Sequence, residues 1–106
     1  MAEIIYTIIE VPDMNDSFSR IVLQGKPYFL RFTYNDTFGY WSFGVFNSLY
    51  DPIREGIKIV PKMALNLFCG TMDMPNGVFG VITELEKVGR SDFAEGRAKF
   101  VFAPAQ

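Results

Sequence analysis

The chain has 106 residues, a formal net charge of −2, 49% hydrophobic and 21% charged residues, and no histidine. That length predicts one domain with a modest core, and the apolar content belongs to a folded chain rather than a disordered one. The ten Lys and Arg are scattered, so no clustered basic surface for phosphate is expected. The missing imidazole excludes a Ser–His–Asp triad, a Cys–His pair and a histidine metal site.

Cys69 is the only cysteine, which rules out an intramolecular disulfide. Inside the apolar stretch 65–69 it reads as a small buried hydrophobe. The N-terminal run MAEIIYTIIEV lacks a basic start and carries acids within its apolar residues, so no signal peptide is expected. No apolar stretch approaches the roughly 18–20 residues that span a bilayer. Synthesis and folding in a cytoplasm are the expectation.

Turn formers interrupt short apolar stretches every several residues, a rhythm that favours strands over helices. Residues 4–11 are dense in β-branched side chains and predict a first strand, ended by the Pro12–Asp16 turn cluster. Residues 18–23 predict a second, with a tight corner at Gly25-Lys26 and Pro27 opening the next strand. Residues 28–34 carry the clearest pattern: Tyr28, Leu30, Phe32 and Tyr34 share one face, and Phe29, Arg31 and Thr33 the other. The loop Asn35-Asp36-Thr37-Phe38-Gly39 predicts a type I turn plus a bulge at glycine. Residues 40–46 return with Trp41, Phe43 and Val45 on the bulky face and Ser42 and Gly44 opposite.

After a loop at 47–52, residues 53–60 predict a strand with Ile57 and Ile59 on one side and Lys58 on the other, stopped by Pro61. Residues 62–68 fit one helical turn or a short strand equally well. Residues 71–77 (TMDMPNG) predict a loop and 78–85 a strand. Residues 86–96 predict a long turn pinned by Phe93, and 97–102 a closing strand with Ala98, Phe100 and Phe102 inward. The expected fold is all-β: a single domain over residues 1–106, with about seven mostly antiparallel strands in a small barrel or sandwich and at most one short helical turn.

Little in this pattern points to catalysis. The segments 13–16 and 73–77 resemble calcium loops in composition only and read as ordinary Asx-stabilised turns. The glycines sit singly, so no phosphate-cradling loop is present, and the acids fall mostly in predicted turns. No catalytic residue, metal or cofactor is expected. Eleven Phe, five Tyr and one Trp are many for so small a chain. Phe29, Arg31, Tyr40 and Phe46 could stack bases on a sheet face; the alternative is a face covered by a neighbouring subunit, favoured because a base-stacking face normally comes with a basic groove. The apolar excess also predicts a partner patch, with Met63, Phe68, Met72 and Met74 as candidates, or as additions to the chain's own core.

The order of features is distinctive: GKPYFLRFTYNDTFGYWSFGVFN, then REGIKIVPKMAL, then DFAEGRAKFVF. It resembles the tail baseplate plug family of contractile-tailed phages, named for a cyanophage plug, from about residue 18 to residue 102. The Tyr34-Asn35-Asp36 turn with Trp41 and the 56–61 strand carry the likeness. Lys62-Met63 departs from the glycine- and proline-rich turn expected after that strand. The resemblance implies a structural subunit near the central hub of a phage or prophage tail, closing or filling the tube until ejection. It implies contacts with other tail and baseplate proteins and brings no catalytic residues. A trimer or hexamer would fit a tail axis, and neither a membrane nor a specific nucleic acid is expected as partner. Two other functions fit the residues less well: an oligonucleotide-binding type of barrel for single strands or oligosaccharides, and an enzyme or carrier with a deep polar pocket.

Overall fold

The computed structural model describes residues 6–61 and 77–104. Those residues contain seven strands and no helix: β1 (Thr7–Ile9), β2 (Asp16–Leu23), β3 (Lys26–Asn35), β4 (Tyr40–Phe46), β5 (Pro52–Lys58), β6 (Gly77–Thr83) and β7 (Ala98–Pro104). Every pairing is antiparallel. β2–β3–β4–β5 form one sheet and β1–β7–β6 the other. The two sheets share no ladder, so the fold is a sandwich and not a closed barrel.

Local chemistry fixes the registers. Gln24 and Gly25 both have positive φ, 54° and 77°, which makes the β2–β3 connection a two-residue turn of the type that matches strand twist. Leu23 therefore faces Lys26 and Ser17 faces Phe32. Pro27 precedes the first β3–β4 pair, Phe29 with Phe46, so its missing N–H removes no ladder bond. At the β3–β4 turn, Asn35 Oδ1 accepts from the N–H groups of Thr37 and Phe38, both at 3.0 Å. Gly39, at φ 71°, donates to Asn35 O at 2.7 Å; only a residue at ease in the left-handed region closes that bulge without strain.

Alternation sorts the side chains. Tyr28, Leu30 and Phe32 from β3, Trp41, Phe43 and Val45 from β4, and Phe79, Ala98, Phe100 and Phe102 from β6 and β7 are buried in one core between the sheets. Two predicted strands are shorter than expected. β1 keeps only three residues, with Ile9 turned to the core and Ile8 to solvent, and Val11 beyond it is buried as well. β5 ends at Lys58 and is irregular within: its ladder with β4 shifts register twice and Gly56 takes φ 71°, and beyond its end Ile59 N still donates to Trp41 O at 2.8 Å. The segment 62–68 and Cys69 lie outside the described residues.

Trp41 ties the core to the 84–97 connection. It is 1% exposed, its Nε1 donates to Gly89 O at 3.1 Å, and its ring meets Tyr34 and Phe93 edge-on. Trp41→Ala should cost about 3–5 kcal/mol in chemical denaturation, the penalty for emptying a large buried aromatic site. A loss below about 1 kcal/mol would show that the ring contributes little to the core.

Candidate partner surfaces

The outer face of the four-stranded sheet is aromatic where a lone sheet face would be polar. By register, Phe18 of β2 lies beside Arg31 of β3, and Phe29 of β3 beside Phe46 of β4. Phe18 meets Phe46 edge-on at 5.2 Å between ring centres, and Phe29 stacks with Tyr50 at 4.1 Å. Gly44 leaves bare backbone under this cluster: a Cβ there would sit 3.2 Å from the Phe46 ring. The ring of Phe46 covers the glycine and is itself buried, while Phe18 and Tyr50 stay exposed.

Tyr50 is held there at a conformational cost. Its φ is 64°, a region that bulky residues rarely occupy. Asn47 builds the loop that holds it. Asn47 Oδ1 accepts from Leu49 N at 2.9 Å and Asp51 N at 3.0 Å, and Asn47 O accepts from Tyr50 N at 3.0 Å. Such a conformation costs on the order of 1–3 kcal/mol and persists only where the surrounding structure holds it. Leu49, the most exposed large apolar residue of the described chain, sits in the same loop.

The second sheet is also apolar outside. Ile8 pairs with Val101, Val78 with Ala103, and Ile82 with Lys99; Tyr6, Ile8, Val78 and Ile82 are all exposed. Both broad faces of the sandwich thus carry contiguous apolar residues, the usual mark of a protein-binding surface.

The predicted site residues fare unevenly. Phe29, Arg31 and Phe46 do come together, joined by Phe18 and Tyr50, which sequence reasoning left out. Tyr40 stands apart, under the Lys58 ammonium at 4.8 Å. Met63, Phe68, Met72 and Met74 lie outside the described residues. Phe18 could have been found from β2 alternation, since it shares parity with Arg20; Tyr50 could not, because only the loop geometry brings it over Phe29.

Of the two arginines on this side, Arg31 is paired, while Arg20, beside Phe29, has no ion pair among the described residues. Arg31 grips Asp16 with two bonds, Nε to Oδ1 at 2.8 Å and Nη2 to Oδ2 at 2.7 Å, and lies 5.5 Å from the Phe18 ring centre. These bonds hold the Asp16 carboxyl below its ordinary range. Arg90 takes up the other end of the supposed calcium loop, donating to Asn15 Oδ1 at 2.5 Å and Asp13 Oδ1 at 2.7 Å. Among the described residues no cluster of three or more His, Cys, Asp or Glu could hold a metal. The space between the sheets is filled: Trp41, Phe32, Phe43, Phe79, Phe100, Phe102, Leu30 and Val45 are each less than 2% exposed, which argues against a carrier with a deep internal pocket.

The long β6–β7 connection is organised by Asp92. Its Oδ2 accepts from Gly89 N at 2.5 Å and its Oδ1 from Arg97 Nε at 2.6 Å. Its backbone carbonyl accepts from Arg97 N and Ala98 N. Arg97 also pairs with Glu95.

This arrangement defines a class: a small β-sandwich with an aromatic core and apolar outer faces. Over residues 5–105 the chain matches the family model described as Cyanophage baseplate Pam3 plug gp18. The chain belongs to this family and is a structural component of a phage baseplate. Family membership implies contacts with other tail and baseplate proteins and a place in the virion tail. No curated protein matches the sequence.

The Gly89 N–H, and then Arg97, lower the Asp92 carboxyl below its ordinary value of 3.8. A depressed folded-state value means the carboxylate stabilises the fold fully above 3.8 and loses that contribution as pH falls through the lowered value. Asp92→Asn should cost about 1–2 kcal/mol at neutral pH, and the gap to the wild type should close as the medium is acidified. Denaturation measured across the acid range checks this; an equal gap at neutral and strongly acid pH would contradict it.

Proposed function

We propose that this chain is a single-domain plug that packs the central hub or tube of a contractile-tail baseplate and is held there by its apolar sheet faces. The observation that carries the reading is the exposed aromatic cluster of Phe18, Phe29 and Tyr50, kept in place by a strained Tyr50 and lacking a free basic groove. Such a surface suits a protein neighbour. Nucleic acid would need clustered cations on this face, and here Arg31 is committed to Asp16 and Arg20 stands alone beside Phe29. The chain acts without catalysis, is made in the host cytoplasm and joins the tail as a homo-oligomer of three or six copies around its axis.

The test is complementation of a host whose phage or prophage lacks the gene. The double variant Phe18→Ser/Tyr50→Ser should fold with a loss of no more than about 1–3 kcal/mol, the value of two aromatic contacts. It should be depleted from purified tails, and those tails should show an open tube at the baseplate end by electron microscopy. Incorporation at the wild-type level, with a closed tube, would overturn the reading.

A further inference from the structure

Sandwiches manage their open edges, and this one manages them unequally. β5 is blunted by Pro52 at its start, a left-handed Gly56 and two register shifts, devices that discourage further pairing. β2 carries none of these. It is eight residues long, regular along its whole ladder with β3, and among the described residues pairs on one side only. Because the tight turn makes Leu23 and Lys26 a hydrogen-bonded pair, the odd-numbered residues of β2 bond to β3 and the even-numbered ones point their N–H and C=O groups outward. Asn15 O accepting from Tyr34 N at 2.8 Å fixes the same parity at the other end. The backbone groups of Asp16, Phe18, Arg20 and Val22 thus line the free edge.

We infer that this edge pairs with β2 of a second copy of the chain, antiparallel and about a two-fold axis at Phe18. The side chains along the edge select the occupant. In sequence order they read acid, apolar, base: Asp16, Phe18, Arg20. An antiparallel strand that complements them must face Arg20 with an acid, Phe18 with an apolar group and Asp16 with a base, and in its own direction it too reads acid, apolar, base. β2 is its own complement. In this register Phe18 meets Phe18, and Asp16 and Arg20 of each copy meet Arg20 and Asp16 of the other. Opposite charges and aromatic pairs across strands are the favourable combinations. Arg20 is exposed and has no ion pair among the described residues. Asp16 is bonded to Arg31, but each of its carboxylate oxygens accepts more than one donor.

A second observation points to the same register. Ser17 is buried, 8% exposed, and its hydroxyl has no hydrogen-bond partner among the described residues, an unusual expense for a buried polar group. Pairing about Phe18 places Ser19 of the second copy directly opposite Ser17, at the close spacing where cross-strand hydroxyls bond. An open groove of about 370 Å³ between the β1 and β2 edges, lined by Ile8, Glu10, Ser19 and Arg20 among others, leaves space for the incoming side chains. The joined sheet would run over eight strands with β5 at both ends, so the contact closes at two copies. This pairing is independent of any ring around the tail axis.

The test is sedimentation of the full chain over a range of concentrations. The wild type should be a monomer–dimer equilibrium. R20D and D16R each set like charges against each other twice and should weaken the dimer by at least about tenfold. Mixing R20D with D16R restores both opposite-charge pairs and should restore the dimer. A wild type that stays monomeric or forms a trimer, a dimer indifferent to R20D, or a mixture that fails to associate would each overturn the pairing and leave the baseplate assignment untouched. If D16R does not fold, the comparison of wild type with R20D still decides.

Discussion

Phe100 is the point on which the two sheets are joined. It lies on β7, is fully buried, and its ring contacts Phe32 and Phe43 of the opposite sheet, Phe79 of its own and Phe93 of the long connection. A small sandwich has little core to spend. Here the core is made from a few large rings in edge and stacked contacts, which add to the stabilisation from area alone. The consequence is that, among the described residues, the centre of the sandwich is filled by large side chains.

What lies outside is set by three short polar devices. Asn35 closes the β3–β4 turn and fixes which face of each strand is inward. Asn47 holds the β4–β5 loop and lifts Tyr50 over Phe29. Asp92 gathers Gly89, Arg97 and Ala98, which aims the Gly89 carbonyl at Trp41 and seats Phe93 on the core. Each uses a side-chain oxygen to satisfy backbone N–H groups that a loop would otherwise leave to water. The outer aromatic cluster is thus a product of turn chemistry as much as of strand alternation.

Much of this was legible in the residues. The faces of β3, β4 and β7 follow from alternation of period two, and the Asn35–Gly39 turn from its chemistry. The family likeness rested on those same segments. The strand ends were less visible: the bulges in β5 depend on its pairing with β4, which no local pattern reveals. Sequence reasoning places a partner patch on Met63, Phe68, Met72 and Met74, which lie outside the described residues. Among the described residues, much of the exposed apolar area follows the outer sheet faces. Tyr50 escaped notice because its position over Phe29 needs a left-handed backbone that a tyrosine in a sequence does not announce. The edge of β2 needed the register before its self-complementarity could be seen.

We propose that this sandwich, a baseplate component, is held at the tail tip by its outer faces. The direct measurement is to induce the host, purify intact tails and label them with antibody to this protein under the electron microscope, with mass spectrometry of the same tails. Label confined to the baseplate end, with the protein present in the tails, is the predicted result. Intact tails that lack the protein by both methods would contradict it.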